Sequence, residues 1–342
     1  MLTVVLIGIA LALLFDFLNG MNDAANSIAT IVATRVLSPF TAVLWAAFWN
    51  FAAYFVFGIS VASTVGKGIV EPAFMNEYFV LSALIGAVIW VYLCTRLGMP
   101  ISVSHALIGG LIGPALFAIG PEALIGSGIF KICLFIVLSP LIGMLLGFIM
   151  MCLTMLIFKR QSPFKVDHWF RGLQLFSSAI FSLGHGGNDA QKTMGIIAIL
   201  LFSVAGENEF IATYLFDPAK GFHVPGWLII TCYTTIALGT VTGGWKVIKT
   251  LGDGLATLKP VQGFCAETAG ALTIIGAAIG GIPVSTTHTI TGSIIGVGIT
   301  KSFASVRWGT AGHIVGAWVL TIPATMVVSG AIYTFIEMVF LK

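Results

Sequence analysis

The chain has 342 residues, of which 58% are hydrophobic and 8% are charged. A soluble domain carries about 25% charged residues, so the composition excludes a soluble enzyme, a disordered protein and a coiled coil, and it indicates a polytopic membrane protein. The net charge of +3 is small and spread along the chain, which gives no support to nucleic-acid binding.

Ten apolar segments are predicted to be membrane helices, because lipid requires an internally hydrogen-bonded backbone and about 20 apolar residues cross the hydrocarbon core. In chain order they cover residues 2–34, 41–65, 78–97, 99–119, 129–158, 172–203, 225–243, 263–280, 282–299 and 310–340. Segments 2–34 and 172–203 are polar and glycine-rich at their middle, so we expect a break in each. Re-entrant hairpins in place of some full spans are an open alternative.

Charges between the segments predict the topology. The link 159–171 has four basic residues against one acid, so the positive-inside rule places it in the cytoplasm. The link 205–223 is mostly acidic and is expected outside, and the lysine-rich link that follows segment 225–243 is expected inside. The predicted organisation is a first transmembrane repeat, 1–158, a short cytoplasmic basic loop, 159–171, and a second transmembrane repeat, 172–342.

Two motifs occur once in each half, in the same order. Asn-Asp-Ala at 22–24 recurs at 188–190, and Pro-x-Ser-x-(Ser/Thr)-His at 100–105 recurs at 283–288, which indicates an internal duplication. An odd number of segments per half places the second half upside down relative to the first. The expected fold class is therefore an all-α polytopic membrane protein with two inverted-topology repeats, whose broken or re-entrant helices meet near the membrane midplane.

Ionisable residues deep in a membrane are costly unless they are compensated. Five such residues lie within the predicted spans: Asp16, Asp23, Asp189, Lys192 and Glu267. Asp23 and Asp189 are equivalent in the duplication, and paired carboxylates flanked by amides suit the binding of a small cation or the exchange of a proton. The nearby glycines would let the backbone unwind and direct peptide groups at an ion. The alternative is that these are buried carboxylates that cap helices.

The repeated Pro-Ser motif is typical of a helix start, where Pro and a Ser or Thr cap are favoured. Free N–H groups and the positive end of the helix dipole make such a start an anion site, and two facing starts could hold a tetrahedral oxyanion. The side chains that would line it are Ser102, Ser104, Ser285, Thr286 and Thr287. The alternative is ordinary capping. The motif histidines, His105 and His288, either form core hydrogen bonds or relay protons.

These motifs resemble those of the inorganic phosphate transporter (PiT) family. The family's Gly-x-Asn-Asp-x-x-Asn signature matches residues 20–26, its second copy matches 186–192, and a Gly-Phe-x-x-Glu element matches 263–267. The family's Pro-Ile-Ser-x-Thr-His element matches the motif found twice above. The resemblance implies an inverted-repeat helical bundle, commonly a homodimer, that imports inorganic phosphate through the lipid bilayer with a coupling cation and without a cofactor.

The resemblance and the duplicated residues together give the expected site. Substrate binding is expected at Asp23, Ser102, Ser104, Asp189, Ser285, Thr286 and Thr287. The coupling ion is expected at Asn22, Asp23, Asn26, Asn188, Asp189, Lys192 and Glu267. A sodium ion, if one is used, is expected at Asn22, Asp23, Asn188 and Asp189.

Residue 192 departs from the family pattern, because sodium-coupled members have Asn where this chain has Lys192. The Lys192 ammonium could replace a bound cation, pair with a carboxylate or attract phosphate. The Asn-Asp-x-Gln-Lys form resembles bacterial proton-coupled members. We therefore expect a secondary active transporter of a bacterial inner membrane in which proton symport is favoured over sodium symport. The central link is much shorter than in eukaryotic relatives and holds no separate regulatory domain.

Several other functions stay open on the sequence. Within the same fold they are transport of sulfate or of a metal-phosphate complex, and sodium-coupled phosphate symport. An anion channel is a different class, and the broken inverted repeats argue against it. An intramembrane hydrolase is disfavoured because one active site has no need of a duplicated residue set, so we expect the chain not to be an enzyme.

Overall fold

The computed structural model describes residues 1–341, apart from the side chains of residues 67, 253 and 341. Within these residues the backbone forms twelve α-helices joined by turns and short 3-10 or π-helical segments, with a longer link at 205–225 and two isolated β-bridges. The helices are α1 Leu2–Ala33, α2 Pro39–Ala52, α3 Ser60–Lys67, α4 Glu77–Leu97, α5 Val103–Ala118, α6 Gly126–Phe158, α7 Pro163–Val204, α8 Gly226–Thr242, α9 Trp245–Leu255, α10 Pro260–Ile279, α11 Thr286–Ile299 and α12 Trp308–Ile336.

Five of the described helices are long and apolar enough to cross a membrane, and up to seven spans result if each bent pair counts as one. The bent pairs are α2 with α3, at 88°, and α8 with α9, at 74°. Helices α5 and α11 have 16 and 14 residues, fewer than the roughly 20 that a span needs. The predicted full segments 99–119 and 282–299 are therefore short helices.

The expected breaks in the first segment of each half are wrong, because α1 and α7 are continuous through their polar stretches. The glycines there allow close packing instead of unwinding the backbone. A Cβ on Gly20 would meet the backbone of Ile236 in α8, and one on Gly186 would meet the backbone of Asn50 in α2. The breaks occur between α2 and α3 and between α8 and α9.

The basic link between the halves is shorter than the predicted loop 159–171. Helix α7 begins at Pro163, and the Ser162 side chain accepts a hydrogen bond from Lys165 N. A Ser cap followed by Pro in the first turn is a strong helix start, so only residues 159–162 lie between α6 and α7. Residues 163–171 extend the first helix of the second half.

Helices α1 and α7, which are equivalent in the duplication, run antiparallel. Thr34 Oγ1 donates to Gln174 Oε1 (2.8 Å) near the C-terminal end of α1, whereas Thr193 Oγ1 donates to Asp16 Oδ1 (2.9 Å) nearer its start. The short helices α5 and α11 are equivalent in the duplication, as are the helices α6 and α12 that follow them. Each short helix packs on the long helix of the other half, α5 on α12 and α11 on α6. Equivalent elements that run in opposite directions make the repeats inverted, as the sequence predicts.

Charges separate towards the two ends of the helices. Arg171 donates to the carbonyl of Arg35, and Lys246 donates to the carbonyl of Arg96. Arg35 lines one pocket with Lys249 of α9, so both pairs lie towards the same end. The helix directions add further cations to this basic end, which holds Arg35, Arg96, Lys159, Arg160, Lys165, Arg171, Lys246, Lys249, Lys259, Lys301 and Arg307. The opposite, acidic end holds Glu71, Glu77, Glu122, Glu207, Glu209, Asp217 and Glu337, together with Lys131 and Lys220. The positive-inside rule predicts that the basic end faces the cytoplasm.

Close packing of α11 on α6 gives a direct test of the fold. A Cβ on Gly292 would meet the carbonyl of Pro140, whereas one on Gly276 in α10 would meet nothing within 4 Å. We expect Gly292→Val to destabilise the protein by about 1–3 kcal/mol or more through overpacking, and Gly276→Val to have a small effect. Thermal unfolding of both variants in detergent measures the difference, and equal melting temperatures would contradict the packing described.

Candidate functional site

Two helical hairpins, α4–α5 and α10–α11, come from opposite ends and meet at their tips. Each turn has a glycine in the left-handed region, Gly98 with φ of 76° and Gly281 with φ of 64°, which side chains rarely adopt. The tips touch where Thr287 Oγ1 donates to the carbonyl of Ile101 at 3.0 Å. The twice-repeated Pro-Ser motif therefore forms both tips.

Both motif serines cap the short helices that follow them. Ser102 accepts from His105 N and Ser285 accepts from His288 N, each at 3.2 Å. This is the capping geometry, but it leaves each hydroxyl hydrogen available to another acceptor. The first N–H groups of α5 and α11 have no partner within their helices, and the two positive helix ends converge at the tips. Converging helix starts of this kind suit an anion.

The motif histidines pack against one another instead of facing a carboxylate. The rings of His105 and His288 are 4.6 Å apart in an edge-to-face arrangement, and His288 also stacks on Trp318 with centroids 3.7 Å apart. These contacts favour the core interpretation of the two histidines.

The two repeated aspartates lie together directly beneath the tip of the second hairpin. Thr286 Oγ1 is 3.2 Å from Asp23 Oδ2 and 3.2 Å from Asp189 Oδ2, so one hydroxyl bridges both carboxylates. Thr287 Oγ1 lies 3.4 Å from Asp23 Oδ1, and Asn26 donates to both threonine hydroxyls. The exposed fraction is 2% for Asp23 and 0% for Asp189. Two buried carboxylates this close require compensating positive charge or protons.

Lys192 supplies one such charge. Its ammonium donates to Asp189 Oδ1 at 2.5 Å, to Ser104 Oγ at 2.6 Å and to the carbonyl of Val284 at 2.9 Å. All three ammonium hydrogens are therefore used. The ammonium therefore links α7 to both hairpins. It occupies the space between three oxygens that could otherwise bind a small cation.

The signature asparagines flank the carboxylates symmetrically. Asn22 Nδ2 donates to Thr95 Oγ1 at 2.7 Å, at the end of α4, and Asn188 Nδ2 lies 3.4 Å from the carbonyl of Ile282, after α10. The Oδ1 atoms of both asparagines are buried and have no hydrogen-bond partner among the described residues. They are free to accept a proton donor or to bind a cation.

His185 is a site residue that the duplication did not reveal, since its counterpart is Asn19. Its Nε2 is 3.3 Å from Asp189 Oδ2 and 3.8 Å from Asp23 Oδ2. Its Nδ1 donates to Asn50 Oδ1 at 3.1 Å, and Asn50 is held in turn by Thr240. The i, i+4 spacing from Asp189 was the available signal. One ligand atom from each of Asp23, His185 and Asp189 lies within 4.8 Å of the others, so these three groups could share a small cation or a proton.

Glu267 lies apart from the aspartate pair. Its carboxylate accepts from Ser177 (2.5 Å), Thr30 (2.6 Å) and Gln174 (3.0 Å). Thr30 is seven residues after Asp23, which is about 10 Å along α1 towards the basic end. Glu267 is thus fully hydrogen-bonded in its own pocket, and the contacts do not bring it to the predicted coupling site.

Comparisons with known proteins give the chain its family. A model of the phosphate transporter family matches residues 19–329. The chain belongs to the phosphate transporter family. A probable low-affinity inorganic phosphate transporter of Rhizobium meliloti (strain 1021) is 51% identical over 97% of this chain and 96% of its own. The protein of the same description from Bacillus subtilis (strain 168) is 40% identical over 99% and 98% of the two chains.

A solved structure agrees with the fold. It is described as the sodium-dependent phosphate transporter, and it has a TM-score of 0.89 and 27% identity over 99% of this chain and 100% of that one. The family resemblance and the inverted-repeat helical fold class are thereby confirmed. The family and these relatives are transporters, so the expectation that the chain is not an enzyme is confirmed as well.

In this family member the central site is closed towards both ends. Asp23, His185, Asp189, Lys192 and Thr286 are each no more than 2% exposed. The hairpin from the acidic end and the hairpin from the basic end touch each other next to these residues. A transported ion could reach the site only after one of the tips moves.

Proposed function

We propose that this chain is a secondary active transporter that imports inorganic phosphate together with protons across a bacterial inner membrane. Membership of the phosphate transporter family and the names of the relatives support phosphate as the substrate. The proposed substrate ligands are Asp23, Ser102, Ser104, Asp189, Ser285, Thr286 and Thr287. The proposed coupling residues are Asn22, Asp23, Asn26, Asn188, Asp189 and Lys192, with Glu267 as a separate carboxylate on the side of the basic end. A homodimer stays a prediction.

The observation that carries the proposal is the carboxylate pair enclosed beneath two converging helix starts. The helix N–H groups and the serine hydroxyls suit the oxygens of a tetrahedral anion. Asp23 and Asp189 would accept hydrogen bonds from phosphate O–H groups. Sulfate has no such hydrogen at neutral pH, so a carboxylate beside it would only repel it. The pair therefore favours phosphate over sulfate.

Lys192 supports protons as the coupling ion. Its ammonium neutralises Asp189 and leaves Asp23 as the second carboxylate of the pair. Adding a phosphate anion to this buried site requires a further positive charge. A proton on Asp23 or on His185 Nε2 supplies that charge without needing a new coordination sphere.

Sodium coupling is the second candidate, favoured by two observations. The similar solved structure is described as sodium-dependent. The buried Oδ1 atoms of Asn22 and Asn188 have no partner among the described residues, and such amide oxygens are suitable ligands for a hard cation.

Transport by purified protein in liposomes separates these candidates. With an inward proton gradient and no sodium, we expect labelled phosphate to accumulate, and we expect an inward sodium gradient at equal pH to do little. Accumulation that follows sodium and ignores pH would contradict proton coupling. Labelled sulfate and a metal chelator complete the experiment: sulfate uptake in place of phosphate uptake would refute the substrate, and loss of uptake with the chelator would indicate a metal-phosphate complex. Passive flux without accumulation would indicate a channel.

A further inference from the structure

Asp16 is a second buried carboxyl on α1, outside the site described above. It has 0% exposure. Its Oδ1 accepts one hydrogen bond, from Thr193 Oγ1 at 2.9 Å, and its Oδ2 has no hydrogen-bond partner among the described residues. Among the described residues no cationic side chain forms an ion pair with it, in contrast to Asp189, which holds Lys192.

A carboxylate so placed is stable only with a proton on it. An ionised carboxyl group inside a membrane protein needs several donors or a cation. Glu267 has three donors. Asp16 has one donor. A protonated Oδ2 removes the unmet charge, so in this closed arrangement Asp16 carries a proton that it can give up when the charge around it changes.

The surroundings of Asp16 connect that proton to the central site. Thr193, which donates to Asp16, lies one turn after Asp189 on α7. The titratable groups near Asp16 are His185 and Asp189 on α7 and Cys232 and Tyr233 on α8. Asp16 lies seven residues before Asp23, about 10 Å away on the same face of α1 and towards the acidic end.

Asn19 lies between the two aspartates on that face of α1. It is buried, and its Oδ1 also has no hydrogen-bond partner among the described residues. Asp16, Asn19 and Asp23 therefore form a row of buried polar side chains along one face of α1. Bridging water along such a row needs polar partners of this kind.

We propose that Asp16 is the proton-relay residue between the acidic end and the Asp23–Asp189 pair. This rests on the proton coupling proposed above. A proton leaves Asp16 Oδ2 for a carboxylate oxygen of the pair, Asp16 becomes ionised, and a proton from the acidic end restores it. The equivalent position in the second half holds Ser182, which cannot carry a proton in this way, so the relay serves one side of the site only.

Net uptake and exchange distinguish a relay from a substrate ligand. Phosphate–phosphate exchange at equal pH on both sides needs no net proton movement, whereas gradient-driven uptake does. We expect Asp16→Asn to lower proton-driven uptake by at least about tenfold, within the range of a lost acid–base group, and to leave exchange within about twofold of the parent protein. Asp16→Glu keeps a carboxyl and should restore uptake. Ser182→Ala is the matched control at the equivalent position and should behave like the parent.

Each result decides the proposal. Unchanged proton-driven uptake in Asp16→Asn would overturn it, and so would equal loss of uptake and exchange in folded protein, because Asp16 would then belong to substrate binding. If Asp16→Asn does not fold, Asp16→Ser copies the residue of the other repeat and should show the same selective loss. If the parent protein itself accumulates phosphate only with sodium, the proton coupling fails first and the relay falls with it.

Discussion

Asp189→Asn should reduce phosphate uptake by two orders of magnitude or more while leaving most of the protein inserted in the membrane. The change removes the charge that holds the Lys192 ammonium and an oxygen that faces Thr286 and His185. Removing one partner of a buried, hydrogen-bonded charge pair in a binding site costs about 2–5 kcal/mol of binding free energy, and each 1.4 kcal/mol corresponds to about a factor of ten. Labelled-phosphate uptake in liposomes, normalised to folded protein, measures the effect.

Two further variants separate a lost site from a damaged fold. Asp189→Asn combined with Lys192→Met removes both charges, so thermal stability should recover while uptake should not. Asp167→Asn removes an acid that is 45% exposed and paired with Arg171 at the basic end, and it should transport like the parent protein. Parent-like uptake in Asp189→Asn would refute the central site.

Lys192→Asn should change the coupling ion. The counterpart of Lys192 in the first half is Asn26, so the change makes the two signatures alike. Without the ammonium, Asp189 and Ser104 lose their shared donor. The amide oxygen of the new Asn side chain then adds a second cation ligand to the unpartnered Oδ1 of Asn188. We expect proton-driven uptake to fall by at least about tenfold, consistent with the loss of a charged partner, and sodium-driven uptake to appear.

The measurement compares the two gradients side by side. Uptake under an inward sodium gradient at equal pH is set against uptake under a proton gradient without sodium, in the parent protein and in the variant. Lys220→Asn is the control, because that lysine is exposed and pairs with Asp217 at the acidic end. Proton-driven uptake that survives in Lys192→Asn would show that the tethered ammonium does not determine the coupling ion.

The sequence predicted those helices that are determined by neighbouring residues in the chain. Long apolar runs produced α4 and α6 close to their expected bounds, and the repeated Pro-Ser motifs became capped helix starts because a serine after proline serves this purpose wherever it occurs. The position of Asp23 beside Asp189 was also predictable, since an inverted duplication places equivalent residues around one axis.

Features that depend on distant partners were not predictable. Polar, glycine-rich residues looked like a helix break. In the structure α1 and α7 stay intact because neighbouring helices bond some of these polar side chains, such as Asp16 with Thr193, and the glycines let α2 and α8 approach closely. The sequence did not show that Thr30, Gln174 and Ser177 hold Glu267 apart from the aspartate pair, and its part in coupling stays a prediction. His185 was missed because it breaks the duplication, and its role follows only from the fold that places it between two carboxylates.

The two hairpins that arrive from opposite ends close the site from two different sides. Their tips are joined by the Thr287–Ile101 hydrogen bond, and each has its own contacts with the site: Thr286 and Thr287 with the carboxylates, and Ser104 with Lys192. Withdrawal of α4–α5 would admit water from one compartment, and withdrawal of α10–α11 from the other. A lesion in one tip should therefore impair loading or release on a single side, giving the transporter different apparent affinities for phosphate measured from its two faces.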